Sequence, residues 1–196
     1  MRFEKGYFKD HFGAVSNYRD YTRRRHGELC EDLISLGMSL DDKIVDFGCA
    51  TGSLLAEFTA RGFYDVTGTD VSYWAIIEGR ECYEFRPDTL QFLNYNLLAD
   101  DADWLLALDV LEHVGNEELG CLVELMRCKH LVIRVPVCGA EGEPYVIDVS
   151  RKDSTHTQCH TKEWWLKKLS KFTVSTPIVL SSIYESEGVL ARVFSR

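Results

Sequence analysis

From Asp42 onward the sequence alternates short β-rich apolar runs with stretches of helical period, and few architectures accept that order. Strands joined by helical crossovers become parallel neighbours in a sheet covered on both faces. KIVDFG (43–48) reads as the first strand and SLLAEFTARG (53–62) as its helix, with Leu54, Leu55 and Phe58 at helical spacing. YDVTGTD, ending at Asp70, is a second strand, followed by the helix YWAIIEGRECYEF, which Pro87 stops. LQFLNYN ending at Asn96 and DWLLALDVL ending at Leu111 are the third and fourth strands, the fourth apolar enough for burial on both faces. NEELGCLVELMRC supplies a helix with Asn116 as N-cap, KHLVIRVPV a fifth strand, and TKEWWLKKLSK a helix capped by Thr161. FTVSTPIVL and GVLARVFSR close the chain across SSIYESE, too short for a helical crossover, so these two pair antiparallel. The expected fold is α/β: a doubly wound, mainly parallel seven-stranded sheet with helices on both faces and a C-terminal antiparallel strand pair.

Residues 1–40 are rich in aromatic and basic groups and end in the amphipathic helix HGELCEDLISLG. They are too short for a core of their own and read as a helical cap or lid on a core at 41–196. No apolar run approaches the roughly 20 residues that span a bilayer. The start MRFEKGYFKD lacks the apolar centre of a secretory signal, so no membrane partner and a cytoplasmic location are expected. Seven scattered cysteines without a CxxC pair suggest neither a disulfide framework nor a zinc knuckle, and read as buried small hydrophobes. A formal charge of −9 opposes wrapping a polyanion, so no nucleic-acid partner is expected; RRRH (23–26) reads as a solvated helix face. The expected assembly is a monomer or homodimer.

The turn between the first strand and its helix is Gly48-Cys49-Ala50-Thr51-Gly52. In open α/β sheets the ligand sits beyond the carboxyl ends of the strands, where glycine admits it to the backbone. A dinucleotide fingerprint would carry glycine at Ala50 and Ser53, and a P-loop would follow with Gly-Lys-Ser/Thr; neither is present. Asp46, just before the turn, suits a cationic ligand group better than a phosphate. Asp70 closes the second strand about 20 residues on, where an acidic residue binds ribose hydroxyls. Together they describe a nucleoside carrying an amine and no phosphate.

The series VDFGCATG, TGTDVS, NYN and LLALDVLEHV resembles the class I S-adenosylmethionine-dependent methyltransferases of the small-molecule type, over Asp42 to the C-terminus. The family's first motif reads Asp-x-Gly-x-Gly-x-Gly, from which Ala50 departs at the middle glycine. The resemblance implies S-adenosylmethionine as cofactor, with Asp46, Gly48, Cys49 and Gly52 at its methionine end and Asp70 and Val71 on the ribose. It also implies Asn96 and Leu97 at the adenine, and Asp109 and Val110 under the sulfonium.

Methyl transfer from a sulfonium is an in-line displacement, so holding the acceptor against the methyl and excluding water supply most of the catalysis. A base is needed only where the acceptor must lose a proton, and histidine is the usual candidate. His113, just past the fourth strand, either starts a helix or serves as that base. The segment Cys138 to His160 is longer than an ordinary connection and carries His156 and His160, followed by Trp164 and Trp165. Its DSTHTQCHTKEWW resembles a D-x-T-H…H-x-x-x-W run that borders the acceptor pocket of small-molecule methyltransferases. His113, His156 and His160 are thus the expected catalytic residues. Two histidines four apart around Cys159 also admit a metal, but no acidic cluster completes that set in the sequence, and none is expected. Tyr7, Phe8, Phe12, Tyr18 and Tyr21 are lid candidates, and at most one of the tryptophans, Trp164, is expected at the pocket.

The expected activity is transfer of a methyl group to an oxygen, nitrogen or carbon of a small metabolite. Two alternatives stand beside it: a methyltransferase acting on protein or RNA, and a non-catalytic S-adenosylmethionine-binding accessory protein.

Overall fold

The computed structural model describes residues 3–10, 18–175 and 186–196, without the side chains of 9, 10 and 18–24. Phe12 and the side chains of Tyr18 and Tyr21 therefore lie outside the described residues, as does most of SSIYESE. The chain forms two compact units, one running to Leu97 and the other from Leu98.

The first unit opens with helices α1 (Lys5–Asp10) and α2 (Tyr18–Ser35). Strands β1 (Ile44–Phe47), β2 (Val66–Asp70) and β3 (Leu90–Phe92) follow, with α3 (Ser53–Ala60) and α4 (Tyr73–Cys82) between them. The strands are parallel, β2 in the middle, with Asp46 opposite Gly68 and Asp70 opposite Phe92. All four residues of β1 are buried, and Leu55, Phe58 and Ile76 close the helices over the strands. Helix α2 is tied to α3 through Arg61, which donates to Glu57 and Glu31 at 2.6 and 2.7 Å. It begins well before the expected start at His26. Phe8 of α1 is buried, its ring 5.2 Å from that of Trp74 on α4.

The second unit holds β4 (Ala102–Leu108), α5 (Asn116–Leu125), β5 (Cys128–Pro136), α6 (Asp148–Lys152), α7 (Lys162–Lys168), β6 (Thr173–Val174) and β7 (Val189–Ser195). β4 and β5 are parallel, whereas β7 is antiparallel to both β5 and β6. The described strands thus number seven, mainly parallel with an antiparallel C-terminal pair, as expected for this α/β class. The apolar run of β4 is buried from Trp104 to Ala107.

Several further boundaries differ from the sequence reading. β3 ends at Phe92 rather than Asn96, because Leu93 turns left-handed at φ 50° and Asn94 N–H leaves the ladder for Thr69 Oγ1 at 2.9 Å. Asn96 consequently stands in a 3₁₀ turn, Tyr95–Ala99. β4 ends at Leu108 rather than Leu111, where Asp109 takes φ 55° and a 3₁₀ turn, Leu111–His113, follows. Helix α4 ends at Cys82, since Tyr83 is already extended, before Pro87 is reached. Gly115, not Asn116, occupies the N-cap of α5, with no side-chain bond there. Thr161 does cap α7, accepting from Trp164 N–H at 3.3 Å.

Candidate functional site

In the first unit, the turn after β1 carries three left-handed residues: Gly48 at φ 83°, Ala50 at 49° and Gly52 at 74°. Gly48 N–H and Cys49 N–H both donate to Thr69 O, at 2.9 and 3.2 Å, which bolts the turn to β2. Ala50 N–H donates to Asp70 Oδ2 at 2.8 Å, and Ser72 N–H donates to Asp70 Oδ1 at 2.7 Å. Ser72 in turn caps α4 by accepting from Ala75 N–H at 3.1 Å. One carboxylate thereby sets both the glycine turn and the start of the next helix, and a carboxylate retains lone pairs for a ligand's hydroxyls.

Small residues are required around the turn. A Cβ on Gly79 would stand 2.3 Å from Thr51 O, and one on Gly68 would stand 2.7 Å from Cys49 Cβ. Cys49 is accordingly a packing residue, its thiol pushed well up by burial. Asp46, buried in β1, has its carboxyl pushed up to about 7 by burial and by the nearby Asp70. Burial also raises the Asp70 carboxyl, against the backbone N–H groups that favour its charge. Two acids crowded at one turn are complementary to a cationic group. Val71 is half-buried beside them; Asn96 is exposed and Leu97 buried.

In the second unit, the Asp109 carboxylate takes a bidentate bond from Arg134. Arg134 lies opposite Leu108 in the β4–β5 register, so parallel pairing sets this contact. Val110, half-buried, leads into the 3₁₀ turn that presents Glu112 and His113. The long connection after β5 folds back on this turn: Thr157 N–H and Gln158 N–H donate to Glu112 O at 2.7 and 3.0 Å, and Tyr145 Oη donates to Gln158 O at 2.7 Å.

That fold brings His156 to His113, with ring centroids 4.6 Å apart. His156 Nε2 lies 3.5 Å from Asp153 Oδ2 and 4.0 Å from Glu112 Oε1. His113 Nδ1 meets Thr155 Oγ1 at 3.0 Å, and that hydroxyl donates to Asp153 Oδ1 at 2.5 Å. Burial, then the neighbouring His156, lower His113 to about 4, so its imidazole is neutral at pH 7. Burial raises the Glu112 carboxyl well above the usual range.

His160 stands in a different constellation. Its Nδ1 meets Glu141 Oε2 at 2.9 Å, its Nε2 meets Gln158 Oε1 at 3.0 Å, and its ring stacks on Trp164 at 3.7 Å. Trp164 is half-buried, whereas Trp165 is fully buried. Glu112, Asp153, Thr155, Arg134 and Glu141 are participants that the sequence reading did not single out. The runs LEHV and DSTH contain the first three, but which of them would meet depends on how the connection folds.

A family model described as a methyltransferase domain matches residues 21–136, more than half of the chain. The chain belongs to that family, the class I S-adenosylmethionine-dependent methyltransferases. No curated protein sequence matches it. Among solved structures it is similar to magnesium protoporphyrin IX methyltransferase from Synechocystis PCC 6803 with bound S-adenosylhomocysteine: 19% identity, TM-score 0.61, covering 88% of this chain and 81% of that one. It is also similar to a methyltransferase from Archaeoglobus fulgidus, at 15% identity and TM-score 0.64, covering 91% and 94%. A third similar structure is the [4+2]-cyclase SpnF, at 18% identity and TM-score 0.58, covering 80% and 60%. These likenesses are of fold. Among the described residues no helix is long and apolar enough to cross a membrane.

Proposed function

We propose that the protein moves the methyl group of S-adenosylmethionine to an oxygen, nitrogen or carbon atom of a small metabolite. The observation that carries this reading is the turn built on Asp70, with Ala50 held left-handed and Asp46 buried beside it. The cofactor supplies a methyl group already activated on a sulfonium. Asp46, Gly48, Cys49 and Gly52 suit its aminocarboxypropyl end, Asp70 and Val71 its ribose, and Asn96 and Leu97 its adenine. The lone pairs of Asp70 that its backbone donors leave are acceptors for two hydroxyls. Asp109, bound by Arg134, and Val110 are proposed for the sulfonium on the family resemblance.

The residues proposed for the acceptor all belong to the second unit. His113 and His156 are candidates for taking a proton from a hydroxyl or amine, and His160 with Trp164 offers a flat stacking surface to an organic acceptor. The net charge of −9 favours a small acceptor over RNA. Seven free thiols suit a reducing compartment such as the cytoplasm. The test incubates the protein with methyl-labelled S-adenosylmethionine and a cell extract separated into small-molecule, protein and RNA fractions. Label in the small-molecule fraction is expected; label in protein or RNA instead overturns the acceptor class. Saturable S-adenosylhomocysteine binding with no label in any fraction would make it an accessory protein.

A further inference from the structure

We infer that Glu112, His113 and His156 form a binding site for a divalent metal ion of the zinc type. One ligand atom from each lies within 4.8 Å of the other two. Two imidazoles and a carboxylate are the donor set of catalytic zinc sites, which leave a fourth position open. Donors around tetrahedral zinc, with bonds of about 2.0–2.1 Å, stand roughly 3.4 Å apart, so small side-chain rotations close the set.

Glu112 gives the cluster its independent mark. Its side chain is 2% exposed, and Oε2 has no hydrogen-bond partner among the described residues. A carboxyl withdrawn from water keeps its proton or needs a donor or a cation, and a metal held between the imidazoles would take the proton's place. The backbone around it is fixed, since Glu112 O accepts two N–H groups from the connection after β5.

The bonds around His113 orient that ligand as metal sites require. Thr155 donates its hydroxyl proton to Asp153, so the same oxygen accepts from His113 Nδ1–H and leaves the imidazole lone pair on Nε2. Asp153 Oδ2 stands 3.5 Å from Nε2 of His156, the nitrogen that also faces Glu112 Oε1 at 4.0 Å, so it adds a second negative group beside the ion. The acid missing from the His156–His160 spacing in the sequence is thus supplied from the turn after β4, while His160 is committed to Glu141 and Trp164.

Ion binding stands on this geometry alone. Its use, holding and polarising the acceptor's oxygen or nitrogen, rests on the methyl-transfer reading above. The full-length protein, stripped with chelator and dialysed, is titrated with Co²⁺ and separately with Zn²⁺, followed by visible absorption and calorimetry. S-adenosylhomocysteine binding is measured on the same samples. One ion per chain is expected, with the d–d bands of a nitrogen- and oxygen-ligated Co²⁺ and no thiolate charge-transfer band. Glu112→Gln and, separately, His156→Asn should weaken binding at least tenfold and leave S-adenosylhomocysteine affinity within twofold, whereas His160→Ala should retain the ion. Absence of a bound ion, a thiolate-ligated ion, or equal affinity in both variants that still bind S-adenosylhomocysteine overturns the site. Loss of S-adenosylhomocysteine binding by the parent protein would instead overturn the cofactor reading and leave the metal result intact.

Discussion

Asp70 accepts the backbone N–H of Ala50 at 2.8 Å, so the last residue of β2 holds the middle of the turn that follows β1. The same carboxylate accepts from Ser72 N–H at the start of α4. Asp70→Ala therefore removes two charge-assisted bonds from the folded protein before any ligand arrives. A loss of about 1–3 kcal/mol in unfolding free energy is expected. Asp70→Asn keeps one acceptor oxygen and should recover part of that stability but not the affinity for S-adenosylhomocysteine. Denaturant titration and calorimetry on both variants separate the two roles. Equal stability of Asp70→Ala and the parent would show that the turn is held by Thr69 O alone.

Ala50 occupies φ 49°, where an L side chain is strained and glycine is not. Ala50→Gly relieves that strain while adding freedom to the unfolded chain, so the net gain should be about 0.5–1 kcal/mol. A rise in melting temperature checks it. A fall would mean that the alanine methyl makes contacts worth more than the backbone strain.

Asp46 contributes a pH dependence of its own to the stability of the ligand-free protein. Its carboxyl stands at about 7 in the fold and near the ordinary 3.8 when unfolded, so the folded state holds the proton more tightly between these values. Stability from this group is complete below about pH 3.8 and is lost as pH rises through about 7. Full ionisation corresponds to about 4 kcal/mol. Asp46→Asn should flatten the decline between pH 5 and pH 8. A cationic amine would favour the ionised acid, so S-adenosylhomocysteine should bind the parent more tightly at pH 8 than at pH 6. If denaturation curves of parent and variant fall in parallel over that range, another group carries the titration.

Much of this arrangement was legible in the sequence, and the losses have definite causes. The alternation of apolar runs and helices placed β1, β2 and β5 within a residue or two, because buried parallel strands write nearly continuous apolar segments. The ends of β3 and β4 escaped because Leu93 and Asp109 adopt left-handed backbone that no glycine announces. Helix α6 was missed inside the long connection, since five residues are too few to show a period. In the candidate site, Asp46 and Asp70 were visible as acids flanking a turn, but not that Asp70 binds Ala50 N–H. The three histidines read as one group, whereas Glu141 and Trp164 hold His160 in a second constellation. Proximity of His113 to His156 depends on the bonds from Thr157 and Gln158 to Glu112 O, a tertiary closure with no local signature.

Two helical glycines should answer the same substitution with opposite signs. Gly120 in α5 has only Lys168 Nζ, at 3.6 Å, near its would-be Cβ, so Gly120→Ala should stabilise by about 0.5–1 kcal/mol through helix propensity. Gly79 in α4 has Thr51 O at 2.3 Å, so Gly79→Ala must push the helix from the turn after β1 and should destabilise by about 1–3 kcal/mol. S-adenosylhomocysteine affinity should fall only in the second. The same sign of stability change in both variants would refute the close approach of α4 to the turn.

The Thr155 hydroxyl is expected to set which nitrogen of His113 carries the proton. Its hydroxyl donates to Asp153 and accepts from Nδ1–H, which fixes the lone pair on Nε2. Thr155→Val keeps the side chain's size and removes the acceptor. Nitrogen chemical shifts of the labelled imidazole should show the Nδ1–H tautomer in the parent at pH 7.5 and a mixture, or the Nε2–H tautomer, in the variant. The metal-free protein is the sample of choice, because an ion on Nε2 would hold the tautomer by itself. A buried hydrogen bond of this kind is worth about 1 kcal/mol, so the variant should remain folded while the tautomer changes. If the shifts are identical in the two proteins, the backbone of Thr155, which also hydrogen-bonds His113, holds the tautomer, and the Asp153–Thr155 side-chain pair serves only to shape the connection.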